Sequence, residues 1–162
     1  MLKFYNYAIK KPLLLKAMLI IYRLSVPVFS AVYITAGLYL YFQKASFLPY
    51  YITVPACVLI INIALRRIIK RPRPCAKYGL ETPFSYKESF SCPSNHALCA
   101  MIIALACMQI NACAGFVVLL LALATGVSRI FLGIHHISDI VLGYLLGGTA
   151  ALVGFVIIPL LF

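Results

Sequence analysis

Uncharged apolar runs of membrane-spanning length alternate with short basic stretches along most of the chain. The first run covers residues 24–42 and the second covers residues 45–65. Each is close to the ~20 mostly apolar residues that an α-helix needs to cross a bilayer. Pro49 and Pro55 lie within the second run, so the helix either begins after one of them or bends there. These two runs predict the first two transmembrane helices.

A longer uncharged run covers residues 97–128. As a single helix at ~1.5 Å per residue it would be about 48 Å long, whereas the hydrocarbon core of a bilayer is ~30 Å thick. Two shorter helices are therefore expected, with a turn within residues 109–115. A last apolar run, residues 140–162, predicts a fifth transmembrane helix.

The first 23 residues differ from these runs because cations interrupt their apolar side chains. No uncharged stretch there is long enough to span a bilayer, and no small-residue cleavage site of a secretory signal is evident. Residues 1–23 are therefore predicted to form a basic amphipathic helix at the membrane interface, with a solvated N-terminal helix as the alternative. The cations are Lys3, Lys10, Lys11, Lys16 and Arg23.

Composition supports a membrane protein. Hydrophobic residues make up 64% of the 162 residues and charged residues only 10%, and the mean hydropathy is +1.03. A soluble globular domain has roughly 45–50% apolar and ~25% charged residues. The predicted fold is therefore all-α: a polytopic membrane helix bundle of about five spans in residues 24–162, with an N-terminal interfacial helix. In so apolar a chain the net charge of +11 does not indicate nucleic acid as a partner.

The ends of the predicted spans gather the polar residues on one side of the membrane. The second span ends at Arg66 and the third begins near His96, while the fourth ends near Arg129 and the fifth begins near Asp139. In a bundle of alternating direction, these four points lie at the same membrane surface. The sequence therefore predicts a cationic pocket there that contains imidazoles and one carboxylate.

The stretch around residues 128–139 carries the most distinctive candidate chemistry. Asp139 is the only aspartate of the chain, and it follows His135 by four residues and His136 by three. On a helix such spacings bring side chains onto one face. A carboxylate beside an imidazole fixes its tautomer and raises its basicity, which suits a nucleophile or general base. A purely structural hydrogen bond is the alternative, but ionisable residues in membrane sequence are by default functional candidates.

A second candidate element opens the third span with the sequence Cys-Pro-Ser-Asn-His at residues 92–96. Ser94 and Asn95 are good residues to cap the N-terminus of a helix. The free backbone N–H groups and the positive end of the dipole at a helix start bind anions. His96 is predicted to lie in the first turn, beside such an anion site.

Residues 66–92 form the only long polar stretch, in which prolines alternate with arginines. A basic cluster beside a span is often explained by lipid headgroups or by topology. Arginines flanked by proline are different, because a rigid backbone preorganises their guanidinium groups. The charged residues of the stretch are Arg66, Arg67, Lys70, Arg71, Arg73, Lys77 and Lys87, with Glu81 and Glu88.

These segments resemble the three-part signature of the type 2 phosphatidic acid phosphatase superfamily, which includes the vanadium haloperoxidases. The first motif of that family is Lys, six residues and Arg-Pro, and here it reads Arg66, six residues and Arg73-Pro74. The second motif is Pro-Ser-Gly-His, and here it reads Pro-Ser-Asn-His at residues 93–96. Two substitutions depart from the family pattern: arginine stands for lysine at residue 66, and asparagine for glycine at residue 95.

The third family motif is Ser-Arg, five residues, His, three residues and Asp. It is matched by Ser128-Arg129, His135 and Asp139. The order of the motifs and their placement at span ends also agree, over about residues 24–162.

The resemblance implies a metal-independent phosphohydrolase without a cofactor. His135 would attack phosphorus with support from Asp139, and His96 would protonate the leaving oxygen and later activate water. His136 has no family role and is interpreted as a packing or rim residue. A zinc site of His135, His136 and Asp139 is the weaker interpretation, because adjacent ligands would have to turn toward one ion. The residues implied to hold the phosphate oxygens are Arg66, Arg73, Ser94, Asn95 and Arg129.

The implied substrate is a lipid with a terminal phosphate or diphosphate, of the undecaprenyl diphosphate, phosphatidate or phosphatidylglycerol phosphate class. The alternative is a non-catalytic protein that binds or transports anionic lipids with the same cationic pocket. Such a protein would not need His135 and Asp139 together.

The expected location is a cell membrane, with the active site on the extracytoplasmic side. Five spans place the N-terminus and the site on one side and leave Lys44 on the other, which by the positive-inside rule indicates a cytoplasmic site. The resemblance indicates the outer leaflet, and several of the counted cations are expected to act in catalysis. Cys75 and Cys92 could pair if their loop faces an oxidising space.

Overall fold

The computed structural model describes residues 1–82 and 90–161, and every regular element in these ranges is helical. Lys87 and Glu88 of the polar stretch, and the final residue of the predicted fifth span, lie outside the described residues. The elements are α1 (Leu2–Ile9), α2 (Pro12–Phe42), α3 (Leu48–Ile69), α4 (Pro74–Tyr78), α5 (Asn95–Ile110), α6 (Ala112–Phe131), α7 (Ile137–Leu152), a π-helical segment (Val153–Ile157) and α8 (Ile158–Leu161).

The helices confirm a polytopic membrane bundle. Four described segments are long and apolar enough to cross a membrane, and α5 adds a shorter apolar helix of 16 residues. The predicted total of about five spans therefore agrees with the structure. The four long segments are Pro12–Phe42, Leu48–Tyr78, Ala112–Phe131 and Ile137–Leu161.

The first long helix begins earlier than predicted. We expected the span to start at residue 24, but α2 begins at Pro12 and continues without a break across residue 23. Pro12 occupies a first-turn position that suits proline, and the long side chains of Lys16 and Arg23 can extend away from apolar surroundings. At ~1.5 Å per residue, its 31 residues give a helix of about 46 Å, longer than the ~30 Å hydrocarbon core. The separate N-terminal helix is therefore limited to α1.

The other boundaries follow the local sequence. Pro49 lies in the first turn of α3, while Pro55 lies inside the helix. The turn between α5 and α6 falls at Asn111, within the predicted range, and its Oδ1 accepts a hydrogen bond of 2.9 Å from the backbone N–H of Ala114. Asn111 thus satisfies one of the free N–H groups at the start of α6.

Helices α5 and α7 approach each other closely through two glycines of α7. A Cβ atom on Gly143 would lie 2.8 Å from the Ser94 carbonyl oxygen, and one on Gly147 would lie 2.7 Å from the Leu98 carbonyl oxygen. Small residues spaced by four along a helix allow two membrane helices to pack at backbone distance. This contact fixes the start of α5 beside the start of α7, where the second and third sequence motifs lie.

Helix α2 packs on the bundle and connects to α3 through two tyrosines. Tyr33 and Tyr51 stack with ring centroids 4.7 Å apart, and each hydroxyl donates a hydrogen bond to the backbone carbonyl of the other residue, at 3.2 and 2.8 Å. Phe29 of α2 joins a buried cluster with α5 and α6. The N-terminal part of the chain is therefore part of the bundle.

Candidate active site

His135 and Asp139 come together at the start of α7, although they do not share one helix face. His135 lies in the loop that precedes α7, and Asp139 lies in the first turn of that helix. His135 Nδ1 is 3.6 Å from Asp139 Oδ2, and both side chains are almost fully buried. The chain turns at Gly133, whose φ of +68° suits glycine, so α6 ends before His135, in agreement with the expected break between the fourth and fifth spans. The pair forms across a helix N-terminus instead.

The Asp139 carboxylate is held at both oxygens. Oδ2 accepts a hydrogen bond of 2.9 Å from the backbone N–H of His136, which caps α7. Oδ1 accepts a hydrogen bond of 2.8 Å from Nη1 of Arg71. A buried carboxylate with donors at both oxygens stays ionised and keeps one orientation.

The other nitrogen of His135 faces an arginine. Nη1 of Arg73 is 3.2 Å from His135 Nε2, and it also donates a hydrogen bond of 3.4 Å to the Ile134 carbonyl oxygen. Since a guanidinium only donates, Nε2 must be the acceptor and Nδ1 must carry the proton that faces Asp139. Burial, opposed in part by Asp139, lowers the pKa of His135 to about 4. The imidazole is therefore neutral at pH 7, with its lone pair on Nε2.

The start of α5 lies against this pair. Ser94 caps α5, and its Oγ accepts a hydrogen bond of 3.4 Å from the backbone N–H of Ala97, as predicted from the sequence. The Ser94 backbone N–H donates a hydrogen bond of 3.0 Å to the Asp139 carbonyl oxygen, which joins α5 to α7. His96 follows in the first turn, is exposed, and lies within electrostatic range of His135 and Arg129. A second imidazole is thus available beside the buried one.

Asn95, which replaces a glycine of the family motif, directs its side chain toward α3. Its Oδ1 accepts a hydrogen bond from Nδ2 of Asn62, a side chain that is almost fully buried. Asn62 lies one turn before Arg66 on α3. The substitution therefore connects the second motif to the first through a pair of amides.

The two remaining predicted cations also reach this end of the bundle. Nη2 of Arg66 donates a hydrogen bond to the Phe90 carbonyl oxygen. Arg129 is buried, its Nη2 donates a hydrogen bond of 3.3 Å to Ser25 Oγ, and its guanidinium carbon lies 4.9 Å from the centre of the Tyr22 ring. Both arginines lie within electrostatic range of His96. All eight residues predicted from the sequence are thus brought to one end of the bundle.

A cavity of about 370 Å³ opens beside His96 and extends between α2, α5 and α6. Its lining changes from polar to apolar with depth along α5, from Asn95 and His96 to Ala100 and Ile103. Val26 and His96 are exposed at its rim. Its shape and lining suit a molecule with a polar head and an apolar tail.

Three further features of this region concern His136, the thiols of Cys75 and Cys92, and side chains that could hold a metal. His136 is half-buried with its side chain toward the Pro72 carbonyl, and partial burial lowers its pKa. Cys75 and Cys92 are both free thiols, and the Cys92 thiol contacts Asp139. In residues 1–82 and 90–161, no group of three or more His, Cys, Asp or Glu side chains is arranged to hold a metal.

Several contacts were not predicted from the sequence. The sequence did not distinguish Arg71 from its basic neighbours, although its position two residues before Arg73, across a proline, is a usable signal. Asn62 could have been identified from the sequence, because it is a polar residue inside an apolar span. Ser25 is 104 residues from Arg129 along the chain, and nothing local indicated their contact.

Comparison with known proteins relates this site to a family. The sequence model of the PAP2 superfamily matches residues 47–161. The undecaprenyl-diphosphatase BcrC of Bacillus subtilis is 33% identical over 97 residues, which cover 60% of this chain and 49% of that protein. The match thus spans about half the length of that curated relative.

A solved structure has the same fold. It is the crystal structure of a transmembrane PAP2 type phosphatidylglycerolphosphate phosphatase from Bacillus subtilis. The two chains superpose with a TM-score of 0.73 at 20% sequence identity, over 99% of this chain and 85% of that one. The similarity includes α1 and α2, which precede the residues matched by the family model.

Proposed function

Since the chain belongs to the PAP2 superfamily, we propose that it is a membrane-embedded phosphatase that hydrolyses a terminal phosphate or diphosphate of a lipid. The observation that carries this proposal is the arrangement of His135. Its Nδ1 faces a buried carboxylate, and its neutral Nε2 faces the guanidinium of Arg73. A neutral imidazole with its free nitrogen beside a cation is suited to attack the phosphorus of an anion held by that cation.

In the proposed first step, His135 Nε2 forms a bond to phosphorus while the bond from phosphorus to the leaving lipid oxygen breaks. His96, which is protonated once the anionic phosphate is bound among the cations, gives its proton to that oxygen. Asp139 stabilises the positive charge that develops on the imidazole. The product is a phosphohistidine and the dephosphorylated lipid.

In the second step, His96 accepts a proton from water as the water oxygen attacks phosphorus. The bond between phosphorus and Nε2 breaks, inorganic phosphate leaves, and His96 is again protonated. Cations and N–H groups that contact the nonbridging oxygens would stabilise the charge as it moves in both steps. The groups proposed for this task are Arg66, Arg73, Arg129, Ser94 and the amide of Asn95.

The cavity and the relatives support the proposed substrate class. The cavity beside His96 would hold the apolar part next to the headgroup, while the phosphate occupies the cationic end. The relatives are named for undecaprenyl diphosphate and for phosphatidylglycerol phosphate. We propose substrates of these classes or phosphatidate, with hydrolysis independent of a metal or cofactor, at the extracytoplasmic face of a cell membrane.

The experiment is phosphate release from a panel of lipid phosphates and diphosphates in detergent, measured with and without EDTA. The native protein is compared with His135→Ala and with the matched control His136→Ala. We expect turnover by the native protein and by His136→Ala, which retains the backbone N–H that caps α7. We expect none by His135→Ala, and labelled phosphate should attach to the native protein and to His136→Ala but not to His135→Ala.

Each other outcome has a definite meaning. If folded native protein releases phosphate from none of the lipids but binds them, the chain is the non-catalytic lipid binder. Turnover that survives His135→Ala would assign the nucleophile to another residue. Turnover that EDTA abolishes would contradict the metal-independent mechanism.

A further inference from the structure

Two arginines of one extended segment reach the two ends of the His135–Asp139 pair. Arg71 and Arg73 are separated by Pro72 in a segment without regular secondary structure, and both guanidinium groups reach the same pair. Nη1 of Arg73 is 3.2 Å from His135 Nε2, while Nη1 of Arg71 is 2.8 Å from Asp139 Oδ1. Arg73 belongs to the family motif, whereas Arg71 lies outside the residues that the motif defines.

The backbone of Arg71 is fixed by a buried serine. Its carbonyl oxygen accepts hydrogen bonds from the Ser91 backbone N–H at 2.8 Å and from the Ser91 hydroxyl at 3.2 Å. Ser91 is fully buried, and its hydroxyl also lies 3.2 Å from the Pro72 carbonyl oxygen. The rigid proline and these hydrogen bonds hold the Arg71 side chain in reach of Asp139.

The side chain of Arg71 is held at its far end as well. Its Nη1 also donates a hydrogen bond of 2.6 Å to the hydroxyl of Ser138, the residue before Asp139. The exposed fraction is 36% for the Arg71 side chain and 0% for that of Asp139. An ion pair with one fully buried partner is not comparable to a solvated surface pair, because the carboxylate cannot turn to water instead.

We propose that Arg71 is a positioning residue, which holds Asp139 Oδ1 so that Oδ2 faces Nδ1 of the nucleophilic imidazole. It acts through Asp139 and does not touch the substrate. Because Asp139 raises the pKa of His135, the pairing of Arg71 with Asp139 weakens this effect and thus keeps the imidazole neutral and available for attack. The proposal rests on the proposed phosphatase function.

The pH dependence of the reaction distinguishes this role from a merely structural one. The charged and titratable groups around His135 come from four parts of the chain. Removal of Arg71 takes away one cation and leaves Asp139 to pair with the imidazole alone, so the pKa of His135 should rise. The groups around His135 are Asp139 of α7, Arg129 of α6, His96 of α5 and Arg73 in the segment before α4, and Arg71 acts on His135 through its ion pair with Asp139.

The test compares Arg71→Gln and Arg71→Lys with the matched control Arg67→Gln, which removes the same charge from an exposed position at the end of α3. Phosphate release is measured against pH and lipid concentration. For Arg71→Gln we expect kcat to fall by about 10- to 100-fold, as for a misplaced catalytic group, with little change in KM. The acidic limb of kcat/KM should move to higher pH.

We expect Arg71→Lys to restore the position of the acidic limb and part of kcat, because a lysine keeps the charge but not the planar fork. Arg67→Gln should change neither. If Arg71→Gln does not fold, Ser138→Ala loosens the same guanidinium without removing its charge. That variant should lower kcat and leave the acidic limb in place.

Three results would overturn the inference. If Arg71→Gln and Arg67→Gln change kcat equally, Arg71 acts only as a surface cation. If Arg71→Gln raises KM and leaves kcat unchanged, Arg71 contacts the substrate. If Arg71→Gln does not fold and Ser138→Ala leaves kcat unchanged, the role of Arg71 is structural. These failures leave native turnover intact, whereas a native protein without turnover would overturn the proposed function itself.

Discussion

Replacement of Gly143 by alanine tests whether the close packing of α5 on α7 sets the geometry of the active site. Gly143 lies one turn after Asp139, and the new Cβ would meet the Ser94 carbonyl oxygen at 2.8 Å and the Ala97 Cβ at 3.0 Å. Both neighbours belong to the first turn of α5. Because one contact is to a backbone atom, no side-chain rotation can relieve it, and the two helices must separate.

The size of the effect follows from that distance. The contact must lengthen by about 0.6 Å to reach the 3.4 Å at which ordinary van der Waals contact begins. Extra volume in a packed interior costs about 1–3 kcal/mol, partly offset by the roughly 1 kcal/mol by which alanine favours a helix over glycine. A shift of about half an ångström between His96 and His135 should lower kcat by about tenfold, because a misplacement of 1 Å can cost 100-fold.

The assay combines thermal unfolding in detergent with phosphate release. The matched control is Gly148→Ala, on the same helix, where an added Cβ meets nothing within 4 Å. We expect Gly143→Ala to lower both the Tm and kcat. Gly148→Ala should leave kcat unchanged and the Tm equal or higher. Equal kcat in the two variants would show that the spacing of α5 and α7 does not control the chemistry.

Three further predictions concern single groups. Asp139→Asn should reduce kcat by at least about 100-fold in the phosphate-release assay, because the neutral amide no longer supports the charge that develops on His135. Burial lowers the pKa of His135 to about 4. As the pH falls below 7, kcat/KM should therefore stay constant until it drops near pH 4, where His135 becomes protonated. A drop centred near the usual ~6.5 would contradict the burial argument. Tyr5→Phe removes a 2.8 Å hydrogen bond to the Glu81 carbonyl oxygen and should lower stability by about 0.5–1.5 kcal/mol without an effect on kcat, as measured by thermal unfolding.

The helices could be predicted because their signals are local. Charge-free runs of bilayer length, a turn at Asn111 and a cap at Ser94 each depend on a few neighbouring residues. The start of α2 could not be predicted, because the charges of Lys16 and Arg23 suggested that the apolar span begins only after residue 23. Their long side chains make such charges compatible with a continuous helix.

The sequence predicted that the candidate site residues lie at one end of the bundle, but it did not predict most of their contacts. Alternating span directions bring His96 near His135 whatever the details of packing. The contact of Arg129 with Ser25, and the choice of Arg71 as partner of Asp139, depend on tertiary packing between distant segments. The spacing between His135 and Asp139 correctly indicated a pair, but the pair forms at a helix N-terminus and not along a helix.

The cavity between α2, α5 and α6 has a consequence for how such a reaction is measured. A lipid that enters it sideways, with its tail still among its neighbours, meets the protein by diffusion in two dimensions. The saturation of the protein with substrate then depends on the mole fraction of substrate in the membrane or micelle. The bulk molarity of the substrate has little meaning. Added detergent or inert lipid dilutes the substrate on that surface and raises the apparent KM. Rates from preparations with different lipid contents are comparable only on this surface scale.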